Sequence, residues 1–267
     1  MTGDLAVAYT SGSQRARVVT EFWAEHNLYC PNCSSPKLNR LVANTKASDF
    51  TCSICGFWYQ LKGQKTRFGN SITDGAYESM MSAIRNDETP NFYFMHYDLA
   101  TWTIRNLLLV PHFAFPPSAI VKRPPLSATA RRAGWIGCSI ALNRIPPEAR
   151  IPIVTTSASP RLGGEKNSCS FVQFVSTPEQ VREKFRKIKP LKEISTKQRG
   201  WTLDVLNVVH RLGKPQFTNE DVYAFAPELE KLHPDNRHIR DKIRQQLQVL
   251  RDTGFLTHLA SGIWQLK

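Results

Sequence analysis

Between Phe57 and Lys62, apolar and polar positions alternate. Phe57, Tyr59 and Leu61 fall on one face and Trp58, Gln60 and Lys62 on the other, a period of two that predicts a strand. Asp49 is expected on the neighbouring strand of the same hairpin, on the face of Gln60 and Lys62. Phe92–Tyr97 and Ile104–Val110 are dense in aromatic and branched residues and read as core strands. From Ser71 to Arg85 the positions Ile72, Tyr77, Met80, Met81 and Ile84 predict a helix with one apolar stripe. A helix, a mixed sheet and crossing helices fit an α/β (α+β) core.

The pattern changes after a polar, basic stretch from Val181 to Arg199, which suits a helix end and a linker. Trp201, Val205, Leu206, Val208 and Val209 then recur at helical spacing through Leu212. Thr218 with Asp221 has the form of a capping box, opening a second helix that runs to about Lys231. A third helix, Asn236 to Asp252, turns Ile239, Ile243, Leu247 and Leu250 inward. Its start and outer face carry Arg237, His238, Arg240, Lys242, Arg244, Gln245 and Gln248. Phe255–His258 and Gly262–Leu266 read as a two-stranded wing. This order makes a winged helix, which sets its last helix in the major groove of DNA. Arginine and glutamine there suit guanine and adenine, although winged helices also dock proteins. The expected division is a first domain over residues 1–190 and a winged helix over 196–267.

Composition narrows the class. A chain of 267 residues, 41% hydrophobic, can bury the cores of two domains. Its net charge of +13 favours polyanions, because each phosphate neutralised releases condensed counterions. Anionic membranes share that attraction, but the mean hydropathy is −0.34 and runs such as Leu107–Val110 are far too short to span a bilayer. The opening MTGDLAVAYTSGS lacks the basic start and apolar stretch of a secretory signal. A cytoplasmic, reducing setting is therefore expected, where cysteines serve as metal ligands more often than as disulfides.

Four cysteines form two CxxC pairs, Cys30 with Cys33 and Cys52 with Cys55, separated by roughly eighteen residues, the spacing of a four-cysteine zinc site. Two such knuckles complete a tetrahedron around Zn²⁺ and leave no open position, so the zinc would be structural. A redox CxxC, the rival reading, normally stands alone before a helix. Cys138 and Cys169 are expected to pack as small apolar residues.

The hairpin face carries a second chemistry. An acid (Asp49), an oxygen donor (Gln60), one spacer and a lysine (Lys62) are what a metal-dependent phosphodiesterase uses. The oxygens hold Mg²⁺, the metal polarises phosphate and activates water, and the lysine steadies charge on the attacking group or phosphorus. By itself the pattern is equally that of a solvated strand face. Arg131, Arg132 and Trp135 close a basic, proline-containing segment that starts at Lys122, which reads either as a DNA-contacting loop or as a surface turn beside a core tryptophan. Ser157–Ser170, rich in Gly, Ser and Pro, reads as a mobile loop whose Arg161 and Lys166 can approach phosphate.

Long blocks resemble one family. They include Gln14-Arg15-Ala16-Arg17 before a Thr20-Glu21-Phe22-Trp23 helix, Tyr29-Cys30-Pro31-Asn32-Cys33, Asp49-Phe50 and Thr73-Asp74-Gly75-Ala76-Tyr77. The likeness continues through Asn91-Phe92, Thr129 to Cys138, Arg199-Gly200-Trp201-Thr202 and Ile243 to Asp252. In these the chain resembles the DpnI family of methyl-directed restriction endonucleases. The resemblance implies a PD-(D/E)XK nuclease core carrying the zinc ribbon, followed by the winged helix. It also implies Mg²⁺-dependent double-strand cleavage at GATC containing N6-methyladenine, by a chain expected to be a monomer. Asp49 and Lys62 fall on the family's catalytic aspartate and lysine. Gln60 stands where the family has glutamate, a departure that leaves open a non-cleaving reader of methylated DNA. Trp135 becomes the candidate for sensing the methyl group. Glu21 is either a further carboxylate of the site or an ordinary helix-surface residue.

Overall fold

A computed structural model describes residues 1, 3–42, 45, 47–160 and 169–267. In chain order the main elements begin with helix α1 (Gly12–Asn27) and strands β1 (Asn39–Arg40), β2 (Phe50–Thr51), β3 (Trp58–Gln64) and β4 (Ser71–Ala76). Helix α2 (Tyr77–Arg85) precedes β5 (Asn91–Tyr97), β6 (Ile104–Val110), β7 (Ile120–Lys122), β8 (Gly137–Ala141), β9 (Ile151–Pro160) and β10 (Cys169–Val175). Then come α3 (Pro178–Ile188), α4 (Thr196–Arg211), β11 (Gln216–Thr218), α5 (Asn219–Tyr223), α6 (Ala226–Leu232), α7 (Ile239–Asp252), β12 (Leu256–Ala260) and β13 (Ile263–Leu266).

The chain forms two compact units, and each is assembled from three separate stretches. The first takes Met1–Phe68, Pro90–His112 and Arg150–Lys187; the second takes Gly69–Thr89, Phe113–Ala149 and Ile188–Lys267. The sequence pattern set a single boundary between residues 190 and 196, whereas the backbone passes between the units five times.

The first unit is built on a seven-stranded sheet of order β1-β2-β3-β5-β6-β9-β10. Only β3 and β5 run parallel; the remaining neighbours are antiparallel. β5 reads Asn-Phe-Tyr-Phe-Met-His-Tyr, and all of it but His96 is buried, as expected for a central strand covered on both faces. Tyr59, Phe92, Tyr93, Phe94, Leu107 and Leu109 make the core. Asn91 shares this interior and is satisfied there: its amide donates to the Trp58 carbonyl (2.9 Å) and its oxygen accepts from the His112 N–H (3.1 Å). Of the stretch Ser157–Ser170, expected as a mobile loop, Ser157–Pro160 end β9 and Cys169–Ser170 begin β10; the residues between, with Arg161 and Lys166, lie outside the described residues.

The second unit holds a small sheet of order β4-β8-β7 beside α2, and the C-terminal module with a sheet of order β11-β13-β12. The helix expected over Ser71–Arg85 begins only at Tyr77, because Ser71–Ala76 pairs with β8 as a strand. The capping box is present: the Thr218 hydroxyl accepts from the Asp221 N–H, and the Asp221 carboxylate accepts from the Thr218 N–H. The helix it opens is shorter than expected. It stops at Tyr223 and restarts as α6 with Pro227 in its first turn, where a missing N–H costs nothing. The third helix starts at Ile239 rather than Asn236, and the wing gains a third strand, β11. The polar stretch from Val181 is helix α3 and a short 3₁₀ turn rather than an open linker.

Candidate functional site

The two CxxC knuckles meet in the first unit. Their four sulfurs lie within 4.8 Å of one another, with 3.5 Å between Cys30 and Cys55 and between Cys33 and Cys52. A tetrahedron with Zn–S bonds near 2.3 Å has edges of about 3.8 Å, so the cage fits zinc. The separations are far beyond an S–S bond of about 2.05 Å. Burial raises the Cys30 and Cys33 thiols, whereas local backbone favours the thiolate at Cys52. Although burial opposes it, the Cys55 and Ile54 N–H groups bring the Cys52 thiol down to about 7. Gly56 leaves the second knuckle at φ 73°, a conformation that favours glycine. The Tyr59 hydroxyl lies 3.1 Å from the Cys30 sulfur. Arg182 of α3 donates to the carbonyls of Cys30 (3.1 Å), Cys33 (2.8 Å) and Ser35 (3.1 Å). It clamps the first knuckle from about 150 residues away, which no local pattern announces.

The same hairpin carries the candidate hydrolytic residues. Antiparallel pairing sets Phe50 across from Tyr59 and Thr51 across from Trp58, and Asp49 lies just before the paired residues of β2. Asp49 donates its N–H to the Tyr59 carbonyl (2.9 Å), and its Oδ2 accepts from the Leu61 N–H (2.8 Å). Gln60 and Lys62 share a face of β3, and all three side chains are half-buried. Burial raises the Asp49 carboxyl above its usual range; the Leu61 N–H, Lys62 and Arg17 pull it down, and Glu21 pushes it up. Asp49 and Gln60 present oxygen donors only, the set that a hard divalent cation prefers. Glu21 is neither a loose surface glutamate nor an uncommitted carboxylate. It is buried and ion-paired to Arg17 (2.6 Å) and Arg40 (2.5 Å).

In the second unit, β7 and β8 continue past their ends as a hairpin whose tip holds Arg131 and Arg132, both exposed. Trp135 is half-buried. The Arg132 guanidinium sits 5.3 Å from the centre of its ring, and the indole lies close to Gly137, where an added methyl group would lie 2.8 Å from its carbons. Glycine at 137 is what leaves room for the indole. The tryptophan is thus braced as a platform, with neither extreme of full exposure or full burial.

On α7 and the turn before it, Arg237, His238, Arg240, Arg244 and Gln245 are exposed and Lys242 is half-buried. Arg240 lies over the Tyr223 ring at 5.2 Å, Arg244 pairs with Asp241, and Lys242 donates to Gln245 (2.8 Å). Burial and the charge of Lys197 lower the Lys242 ammonium. The opposite face buries Ile243, Leu247 and Leu250, and also Gln246, whose carbonyl accepts the Thr202 hydroxyl (2.7 Å). Beneath it Asp204, buried, accepts from Ser118 and meets His233 at 2.8 Å, and His233 stacks on Trp201. Gln246 and Asp204 were not anticipated as interior residues, since polar side chains within an apolar stripe give no sign of their partners.

No helix of the described residues is long and apolar enough to cross a membrane. The profile of the Dam-replacing family, whose type is DpnI, matches residues 1–162, and that of the Dam-replacing helix-turn-helix domain matches residues 197–266. The first match spans more than half of the chain and contains both the four-cysteine cage and Asp49, Gln60 and Lys62; the second covers the winged helix. The chain belongs to the Dam-replacing family of DpnI-like, methyl-directed restriction endonucleases.

Proposed function

We propose that the protein is a Mg²⁺-dependent endonuclease with a PD-(D/E)XK core, making double-strand breaks in DNA at GATC sites that carry N6-methyladenine. It would act as a monomer in the cytoplasm, with Zn²⁺ as a structural ion. The observation that supports this reading is the Asp49 carboxylate, which accepts from the Leu61 N–H at 2.8 Å and so lies against the strand that carries Gln60 and Lys62. Asp49 would hold the metal through its carboxylate, fixed in direction by the Leu61 N–H, and Gln60 through its amide oxygen. When bound, the ion supplies Lewis-acid polarisation of the phosphate and an acidified water. Lys62 offsets charge building on the attacking oxygen or on phosphorus. Arg237, His238, Arg240, Lys242, Arg244 and Gln245 would read the major groove from α7. Arg131 and Arg132 would hold the backbone near Trp135, whose apolar face suits a methyl group.

A second reading follows from Gln60 itself. An amide brings no charge to the ion, so a non-cleaving reader of methylated adenine uses the same fold. Matched plasmids, methylated and unmethylated at GATC, separate the two when incubated with Mg²⁺ or EDTA. Cutting of the methylated plasmid alone, and only with Mg²⁺, is the expected result. Methyl-dependent binding without cleavage in Mg²⁺ would leave the reader.

A further inference from the structure

An ion-pair cluster beside the candidate centre has no part in the chemistry above. The Glu21 side chain is 9% exposed and is shared by two arginines, Arg17 through Nε (2.6 Å) and Arg40 through Nη2 (2.5 Å). Arg40 also lies 4.0 Å from the more exposed Glu25. The arginine side chains themselves remain 47% and 38% exposed. One arginine already neutralises Glu21, and half-exposed ion pairs add little stability. With Glu25 the two arginines and two glutamates balance, so what the cluster offers an anion is the guanidinium N–H groups that these pairs leave over.

Its place is fixed by the strands around it. Arg40 on β1 pairs with Phe50, and the next residue, Leu41, donates its N–H to the Asp49 carbonyl at 2.8 Å. Arg17 and Glu21 stand one turn apart on α1, close enough that both charges act on the Asp49 carboxyl. Thr20 lies against Gly63, where a methyl group would meet it at 3.5 Å, so this turn of α1 rests beside the end of β3 that carries Lys62. A guanidinium has five N–H donors in a rigid fork, more than a shared carboxylate can use, and that fork matches two phosphate oxygens.

We propose that Arg17 and Arg40, aligned on Glu21, form a subsite for a DNA backbone phosphate next to the one held at Asp49 and Lys62. Glu21 is a positioning residue here: it removes the freedom of two long side chains before DNA arrives. The inference rests on the DNA-cleaving reading above, of which it needs only the binding.

The test uses the full chain and a methylated GATC duplex in EDTA, with affinity followed against salt concentration. Arg40→Gln and Arg17→Gln should each reduce the slope of log K against log salt by about one and weaken binding about tenfold at low salt. Arg40→Lys should keep the slope yet lose part of the affinity, because a point charge cannot fork. Glu21→Gln combined with Arg40→Gln leaves no unpaired buried charge and serves if the single variants fold poorly; it should lose the same unit of slope. Slopes and affinities equal to those of the parent in folded variants overturn the subsite and leave the function intact. A parent chain that binds no duplex DNA overturns both.

Discussion

At the scale of single residues, the question is what Gln60 does where a glutamate would bring a charge. An amide oxygen binds Mg²⁺ without neutralising it, so Gln60→Glu should lower the half-saturating Mg²⁺ concentration by on the order of tenfold, read from cleavage rates across a metal titration. No change in metal dependence would remove Gln60 from the ligand set. Asp49 adds a pH signature. Burial raises its carboxyl, so as pH falls the proton competes with the metal sooner than it would at an exposed aspartate. The acid limb of the rate profile should therefore lie above the ordinary aspartate range and move down as Mg²⁺ is raised. A limb insensitive to Mg²⁺ would argue that another group sets it. That Gln60 and Lys62 share a face of β3 was legible in the sequence, because strand alternation puts i and i+2 on one side. Arg182 and Arg40 were not, since their partners lie elsewhere in the chain and periodicity describes only neighbours.

Among the elements, the capping box was read correctly from Thr218 and Asp221 because both halves of that device lie within one turn. Thr218→Ala should cost about 1 kcal/mol, measured by denaturant unfolding. The box also has a pH dependence. Lys214, together with the Thr218 N–H and hydroxyl, holds the Asp221 carboxyl down at about 2. Its contribution is therefore complete above the unfolded value near 4 and fades as pH drops toward 2. A Thr218→Ala chain should show a flatter fall in stability across that interval than the parent. The stretch Ser71–Arg85 misled for a physical reason. Ile72 and Tyr77 are five apart, not three or four, and Thr73-Asp74-Gly75 is poor helix material. The edge of β8 offered those backbone groups a better partner. The pattern likewise missed the break before α6, where a proline that starts one helix was taken as lying inside another.

For the whole molecule, which residues are buried was far easier to foresee than with whom. Tyr93, Leu107, Leu247 and Leu250 sit inside as their spacing suggested, but nothing in the pattern said that Gly69–Thr89 and Phe113–Ala149 fold with the winged helix. The zinc cage belongs to this scale as well, because Arg182 ties it to the last segment of the first unit. Metal analysis should find one zinc per chain, and Cys52→Ser should abolish it and lower the melting temperature by several degrees or more. A zinc-free parent with the same melting temperature would contradict a structural ion.

The three-segment build of the first unit also bears on synthesis. Asp49, Gln60 and Lys62 leave the ribosome early, yet β5, β6 and β9, which complete the sheet around them, follow only by residue 160, and Arg182 later still. A nascent or prematurely terminated chain therefore carries these three residues without the strands that surround them. A half-made copy lacks the sheet that frames these residues, and the frame is whole only when nearly the entire chain has been made.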